Sequence, residues 1–363
     1  MNRLPASALL IALILPPAQE TATRPRRPEL QEVQERVTVE RVVVTGRVID
    51  RFANPIPGLE AKDYRLRVDG RDAPIESVEW IPPLSQPDQQ PVASTTASGA
   101  PEADLPPRRP PPAGQATSAG PSRMVVMLFQ WEIAGQKDTG FVRMMRQAER
   151  MVESSAPDEK IAVLAFGSSL RLLQDFTNDH AALRDAIEAI RSWRFQGRPP
   201  AAAGSSLAAE IAGCGHRNSI RKAVVCIGSA LQAFPGSKTL LFFGWGIGRP
   251  KRDSWFVEYP AMIEAISKAR TSVFVLDVSS GHHWLDRSLE LLAADTGGLF
   301  NGGCIYEMMY CADLARLKTQ RAIEGGTYEL VFRDPAMAHG WHEIEVQLIS
   351  RDGTAAFQQW YHD

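Results

Sequence analysis

Hydrophobic residues follow two different rhythms along this chain. Alternating apolar and polar positions, typical of strands with one buried face, mark both ends: residues 37–49, 64–68 and 75–81, then 328–332, 344–349 and 355–361. The pair Asp69-Gly70 is a strong hairpin signal and predicts 75–81 as the return strand. Each end has too few strands for a sandwich of its own. We therefore predict one small β-sandwich built from two parts, 37–80 and 324–363.

The middle of the chain, residues 123–323, alternates short apolar runs with amphipathic helices. The runs 124–129, 161–166, 239–243 and 272–277 are typical of strands that are buried on both faces. Stripes with helical spacing lie between them, at 141–152, 183–190 and 263–269. This order predicts an α/β, doubly wound (Rossmann-like) fold, in which a parallel sheet carries helices on both faces.

Three segments have neither rhythm. Residues 19–36 are polar, and residues 81–122 hold eleven prolines and no aromatic residue, so neither can bury enough apolar surface to order itself. We predict a disordered segment and a Pro-rich linker there. Residues 1–18 combine Arg3 with a short apolar run and predict a signal peptide. The mature chain would then be periplasmic or extracellular. It would have no integral membrane segment, because no run approaches the roughly 20 residues of a spanning helix.

Charge and cysteine content narrow the classes of partner. Forty Lys and Arg against 42 Asp and Glu leave no basic excess for phosphates, so we expect no nucleic-acid partner. The spacing of Cys214, Cys226, Cys304 and Cys311 matches no zinc signature. In an exported chain, the spacing favours disulfides Cys214–Cys226 and Cys304–Cys311, although four cysteines allow three connectivities. Cys226 also fits a simple buried position in an apolar helix.

The order of the elements resembles bacterial secreted proteins with a von Willebrand factor type A-related domain. The motifs that carry the resemblance are PGL at 57–59, DY at 63–64, VDGR at 68–71, ADTGGLF at 294–300, YEL at 328–330, and His342 followed by WY at 360–361. The resemblance covers about 37–81 and 123–361. It implies a type A domain that binds a partner protein at the carboxyl edge of its sheet. In that family, a D-x-S-x-S loop, a Thr and a distal Asp hold a divalent ion there.

The metal ligands implied by the resemblance do not carry over to this chain. Gln130 stands at the position of the first Asp, and Glu132 and Ala134 stand at the two Ser positions. Gly244 stands where the distal Asp is expected. Mg²⁺ needs near-octahedral oxygen ligands and gives up water reluctantly, so one carboxylate and one amide make a poor site. We expect a degenerate site with no metal and no other cofactor.

Three weaker signals stay open. Ser205 or Ser206 would occupy the Thr position of the family. Asp277 with Ser279 imitates the D-x-S-x-S loop on a late strand and would support metal-dependent adhesion. The loop 244–248 imitates a nucleotide-binding turn, but Arg249 replaces the third glycine of the G-x-G-x-x-G fingerprint. A nucleotide-binding enzyme is therefore the weaker alternative, and we predict no catalytic residue and no enzymatic activity.

The remaining candidate is a recognition surface. Trp131 and Trp245 follow strands at the edge where open α/β sheets bind ligands, with Glu132 and Arg249 beside them. Trp and Arg are frequent at interaction hot spots, although these tryptophans also fit as packed caps of the sheet. We expect an exported, non-enzymatic protein-binding, adhesion or scaffold module that recognises an unknown protein partner without metal.

Overall fold

The computed structural model describes residues 41–82, 123–131, 138–192, 206–214, 219–248, 253–277, 279, 285–301, 308–333 and 339–362. Its strands are β1 (Arg41–Ile49), β2 (Tyr64–Val68), β3 (Arg71–Asp72), β4 (Ile75–Ile81), β5 (Met124–Gln130), β6 (Lys160–Phe166), β7 (Leu170–Thr177), β8 (Lys238–Gly244), β9 (Thr271–Asp277), β10 (Phe300–Asn301), β11 (Thr327–Arg333), β12 (Trp341–Leu348), β13 (Thr354–Phe357) and β14 (Trp360–His362). Its helices are α1 (Asp138–Glu153), α2 (His180–Arg191), α3 (Leu207–Ile211), α4 (Ile220–Leu231), α5 (Asp253–Lys268), α6 (Asp286–Asp295) and α7 (Met308–Glu324), with 3-10 turns at Ala61–Asp63 and Ala212–Cys214. The predicted signal peptide at 1–18, the segment 19–36 and nearly all of the predicted linker at 81–122 lie outside the described residues.

Six strands of the middle region form one sheet in the order β10-β9-β8-β5-β6-β7. The strands β10, β9, β8, β5 and β6 are parallel to their neighbours, and their order reverses around β5, as in a doubly wound fold. The doubly wound α/β prediction is confirmed. The four predicted strands are parallel to one another, and a further strand that the sequence did not predict, β7, pairs antiparallel with β6 at the edge. The two strands are separated by only 167–169, and a connection that short can only form a hairpin.

Helices cover both faces of this sheet. Alternate side chains of β5 point to opposite faces: Val126 and Leu128 pack with residues of α3 to α6, and Met127 and Phe129 pack with residues of α1, α2 and α7. Strands buried on both sides are apolar at nearly every position. Their nearly continuous apolar runs are therefore recognisable in the sequence alone.

Strands from the two ends of the chain interleave in two antiparallel sheets. Their orders are β13-β1-β11-β4 and β14-β12-β2-β3. The N-terminal β1 lies between the C-terminal β11 and β13, and β2 pairs with β12. The inner faces share one core, in which Leu66, Val68, Tyr328 and Phe332 are almost fully buried. The prediction of a small β-sandwich built from both ends is confirmed.

Two predicted strands of the sandwich are wrong in detail. The strand that returns after Asp69-Gly70 is β3, only two residues long, and the predicted return strand 75–81 crosses to the other sheet and pairs with β11. The predicted strand 355–361 is also divided, because β13 pairs with β1 whereas β14 pairs with β12. In both cases the chain changes sheets, which leaves the alternation of apolar residues unchanged.

The sandwich and the α/β layers are joined by buried contacts. Ile49 of β1 and Ala53 belong to the core on the α1 side of the large sheet. Asp295, at the end of α6, accepts a hydrogen bond from the Tyr259 hydroxyl, and its carbonyl accepts the Gln359 N–H at 3.1 Å. Burial raises the pKa of Asp295, and its bond to Tyr259 offsets only part of that effect. In the part of the chain that the structure describes, no helix combines the length and apolarity needed to cross a membrane.

Candidate functional site

Three neighbouring parallel strands end at the carboxyl edge of the six-stranded sheet. Gln130 ends β5, Gly244 ends β8 and Asp277 ends β9. The register pairs Phe129 with Phe243 and Gly244 with Asp277, so the three strand ends lie side by side. Ligands of open α/β sheets bind at this edge, where the loops diverge.

Gln130 closes the loop that follows β8. Its side chain is buried, and Oε1 accepts hydrogen bonds from the backbone N–H groups of Trp245 at 3.0 Å and Gly246 at 3.3 Å. The neighbouring N–H of Ile247 points at the Ser288 hydroxyl at a longer 3.5 Å. The amide oxygen is therefore occupied within the chain. The N–H groups of 245–247, which a phosphate would require at a nucleotide-binding turn, are directed at side chains of the protein.

Gly244 leaves no room for a distal carboxylate. A Cβ atom at this position would lie 2.3 Å from Cζ of Phe242, far inside van der Waals contact. The ring of Phe242 is almost fully buried in the core beneath, so it cannot move without disturbing its neighbours. Aspartate at position 244 would require that core to repack.

Trp131 and Trp245 are partly buried rather than freely exposed. Both rings pack against the core on the α1 side of the sheet. The Trp131 indole lies so close to Gly167 that a Cβ there would fall 2.7 Å from Cε2. The backbone N–H of Trp131 donates to the Phe166 carbonyl at 3.0 Å. The two rings therefore combine both roles considered from the sequence, because they pack on the sheet edge and also present part of their surface.

Asp277 and Ser279 form a local turn at the end of β9. The Ser279 N–H donates to Oδ1 of Asp277 at 2.8 Å, and Ser279 is buried. This bond is typical of an Asx turn. The charge of Asp277 also acts on Arg143 of α1. Burial lowers the pKa of Arg143, and the negative charge of Asp277 opposes that shift. In the described ranges, no group of three or more His, Cys, Asp or Glu side chains is placed to hold a metal ion.

An ion-pair cluster on α4 and α5 anchors the same loop from the other side. Arg221 donates from Nη1 to the Ile247 carbonyl at 2.6 Å and from Nε to Glu258 at 2.9 Å. Ser219 and Lys222 also reach Glu258, at 3.1 and 3.4 Å. Burial would raise the pKa of Glu258, but the hydrogen bonds, led by that of Arg221, hold it below its usual value. Sequence reasoning missed this cluster, because 37 residues separate Arg221 from Glu258 and no local motif joins them.

Ser206 serves as the N-cap of α3 rather than as a free ligand. Its hydroxyl accepts the Ala209 N–H at 3.2 Å. Several other predicted positions lie outside the described residues: Glu132, Ala134, Ser205 and Arg249.

One of the two predicted disulfides, Cys214–Cys226, is present in the structure. Cys214 and Cys226 form a disulfide, with their Cα atoms 5.8 Å apart, which links the 3-10 turn after α3 to α4. Cys311 is also disulfide-bonded. Its predicted partner, Cys304, lies outside the described residues.

No family model matches the chain, and no curated protein sequence matches it either. Solved structures do match. A von Willebrand factor type A structure from Catenulispora acidiphila shows 11% identity and a TM-score of 0.37 over 66% of this chain, which spans 65% of that one. The ArnB paralog VWA2 from Sulfolobus acidocaldarius shows 9% identity and a TM-score of 0.36, covering 89% of this chain and 76% of that one. The conserved hypothetical protein BatB from Bacteroides thetaiotaomicron shows 12% identity and a TM-score of 0.36, covering 55% of this chain and 98% of that one.

At identities of 9–12% and TM-scores of 0.36–0.37, these similarities assign the chain to no family. Its fold class rests on the strand order and the layers described above.

Proposed function

We propose that this chain is an exported, non-enzymatic module that binds a protein partner at the carboxyl edge of its six-stranded sheet, without a divalent ion. The observation that carries the proposal is the position of Gln130. Where the resembling family would hold its first metal ligand, a neutral amide oxygen accepts the N–H groups of Trp245 and Gly246. A hard cation would have to displace both bonds and would gain only one weak neutral ligand in return.

The chemistry of the edge favours a protein surface over a small charged ligand. Glu258 pairs with both Arg221 and Lys222, and Asp277 lies near Arg143, so these charges already have partners within the chain. Among the described residues of the edge, Trp131 and Trp245 offer partly exposed aromatic surface for recognition. Partly buried aromatic rings held by a rigid sheet are typical of the few residues that dominate binding at protein interfaces.

Export is supported by the cysteines. The Cys214–Cys226 disulfide and the disulfide-bonded state of Cys311 fit an oxidising compartment, since cytosolic thiols are normally kept reduced. The apolar N-terminal run agrees with a secretory signal. Together they support placing the proposed adhesion or scaffold role in the periplasm or outside the cell.

The test is site-specific photo-cross-linking in the producing cells. With p-benzoylphenylalanine in place of Trp245, ultraviolet light should link the chain to a discrete protein partner that mass spectrometry can identify. The same probe in place of Ile349, exposed on the sandwich, is the matched control and should give no such band. EDTA should leave the band from position 245 unchanged. Equal bands from the two positions, or none from position 245, would refute recognition at this edge.

A calorimetric titration with Mg²⁺, Mn²⁺ and Ca²⁺ tests the absence of metal separately. We expect no dissociation constant below about 100 μM, which corresponds to about 5.5 kcal/mol. Tighter binding that disappears in Asp277→Asn would instead support the metal-dependent alternative.

A further inference from the structure

A second concave site lies at the opposite edge of the six-stranded sheet, where strand β9 begins and the sandwich meets the α/β layers. It is a cavity of about 180 Å³ between β1, the end of α5, the start of β9, and β12 and β14. Thr271 and Ser272 line it at the first residues of β9, whereas Asp277 ends that strand. At about 3.3 Å per residue, roughly 20 Å separate this cavity from the carboxyl edge.

A buried guanidinium that no described carboxylate neutralises lies behind Ser272 of the cavity wall. Arg47 of β1 is 5% exposed, and its Nη1 donates to the Ser272 hydroxyl at 3.0 Å. Among the described residues no carboxylate forms an ion pair with Arg47, and its buried Nε has no hydrogen-bond partner. The guanidinium lies over the Phe274 ring, 4.9 Å from its centroid, which compensates a buried charge only in part.

The other charges around the cavity are already paired. Lys268 forms an ion pair with Glu264 at 2.6 Å, and Arg270 forms one with Glu329. Burial, followed by the charge of Arg123, lowers the pKa of Arg47 to about 10, so the group stays protonated at neutral pH. Among the described residues, no carboxylate therefore compensates the charge of Arg47 beside the cavity.

Two hydroxyl groups on the cavity wall can donate hydrogen bonds to an anionic ligand. Ser272 accepts from Arg47 and can donate its own proton into the cavity that it lines. Ser267, on the same cavity wall, has a buried hydroxyl without a hydrogen-bond partner among the described residues. Buried polar groups are normally satisfied, so an acceptor bound in the cavity would be stabilised by the Ser267 hydroxyl as well as by Ser272.

We propose that this cavity binds a small hydroxylated monocarboxylate, of about the size of a sugar acid. Its carboxylate accepts hydrogen bonds from Ser267 and Ser272 and serves as the counter-ion of Arg47. A monoanion matches the charge of Arg47, whereas a phosphate ester would bring a charge of about −1.5 to −2.

The dimensions and the walls of the cavity agree with that class. A cavity of about 150 Å³ accommodates a six-membered ring, and this one is slightly larger. Trp341 and Tyr361 supply aromatic wall against a sugar ring, and Thr45 and Gln358 supply polar groups for its hydroxyls.

The test measures binding of D-glucuronate to the full chain by calorimetry and by the shift of its unfolding temperature. We expect saturable binding with a dissociation constant below about 1 mM. D-glucose, the same ring without the carboxylate, should bind at least tenfold more weakly, and inorganic phosphate likewise. Equal responses to glucuronate and glucose, no glucuronate binding, or tighter binding of phosphate would each overturn the proposal.

Substitutions test whether glucuronate binds at this cavity. Arg47→Met keeps most of the side-chain volume, so without ligand the chain should unfold at the same or a higher temperature, and glucuronate binding should fall at least tenfold. Should that variant fail to fold, Ser267→Ala and Ser272→Ala retain the guanidinium and should each weaken binding by about tenfold. Ser229→Ala, on an exposed turn of α4, is the control and should bind as the parent does. Unchanged binding in the folded Arg47 variant, or in both serine variants, would refute the site without affecting the proposed function at the carboxyl edge.

Discussion

Single residues link neighbouring strands of the sandwich, and Asp69, between β2 and β12, is the clearest case. It occupies the hairpin after β2 with a φ of 49°, and its carboxylate lies 2.8 Å from Nδ1 of His342 and accepts the Glu343 N–H at 2.9 Å. The hydrogen bond with His342, followed by that with Glu343, lowers the pKa of Asp69. A carboxyl group with a lowered folded-state pKa stabilises the protein above its unfolded value of about 3.9 and loses that contribution as the pH falls further.

Asp69→Asn should therefore destabilise the chain more at neutral pH than at pH 3. Asparagine tolerates the same positive φ, so the substitution removes the charge and keeps the turn. We expect the free energy of unfolding to fall by about 1 kcal/mol at pH 7. A hydrogen bond to a charged group usually contributes more, but solvent weakens this one because Asp69 is partly exposed. Urea unfolding from pH 7 to pH 3 should show the two chains converging below about pH 4. A difference that does not change with pH would contradict this account of the bond.

At the scale of elements, α3 illustrates how a short helix is held by a distant strand. It has only five residues, too few to be stable alone. Asp175 of β7 is 3% exposed and accepts the N–H groups of Leu207 at 3.1 Å and Ala208 at 3.0 Å, while Ser206 supplies the local cap.

Asp175→Ala should lower the free energy of unfolding by clearly more than the loss of an ordinary helix cap does. It would leave buried N–H groups without acceptors, at about 2–3 kcal/mol, whereas Ser206→Ala should cost about 1 kcal/mol. Denaturant unfolding of the two variants beside the parent measures both values. Equal losses would mean that the connection to β7 contributes nothing beyond the local cap.

Elements with strong periodicity were predictable, and elements defined by pairing were not. The run 124–129 is apolar throughout because both faces of β5 are covered, and that requirement can be read without knowing the neighbours. Alternation at 75–81 and 355–361 identified strands but could not tell which sheet each joins, because either sheet buries one face of the strand.

The candidate sites divide in the same way. Gln130 and Gly244 were identified from their order along the chain, and the structure places them on adjacent strands. Arg221 with Glu258 and Arg47 with Ser272 could not be predicted, since 37 and 225 residues separate the partners. Contacts of that kind depend on the packing of distant elements, and a local sequence pattern carries no information about it.

At the scale of the whole molecule, the sandwich depends on strands from both sides of the α/β region. Cutting the chain between residues 82 and 123 would leave β1 to β4 joined to the remainder only by noncovalent contacts. These contacts are extensive, because β1 pairs with both β11 and β13, β4 pairs with β11, and β2 pairs with β12. Buried ladders of this length should hold the two pieces together.

An engineered protease site placed between residues 82 and 123 tests this dependence. After cleavage, the two fragments should elute together in gel filtration and unfold in one transition, since neither sheet is complete in either fragment. The unfolding temperature should now rise with protein concentration, because association has replaced an intramolecular connection. The uncleaved chain with the same insertion is the control and should show no such dependence. Fragments that separate under native conditions, or an N-terminal piece that unfolds cooperatively on its own, would show that the two ends do not form a single sandwich.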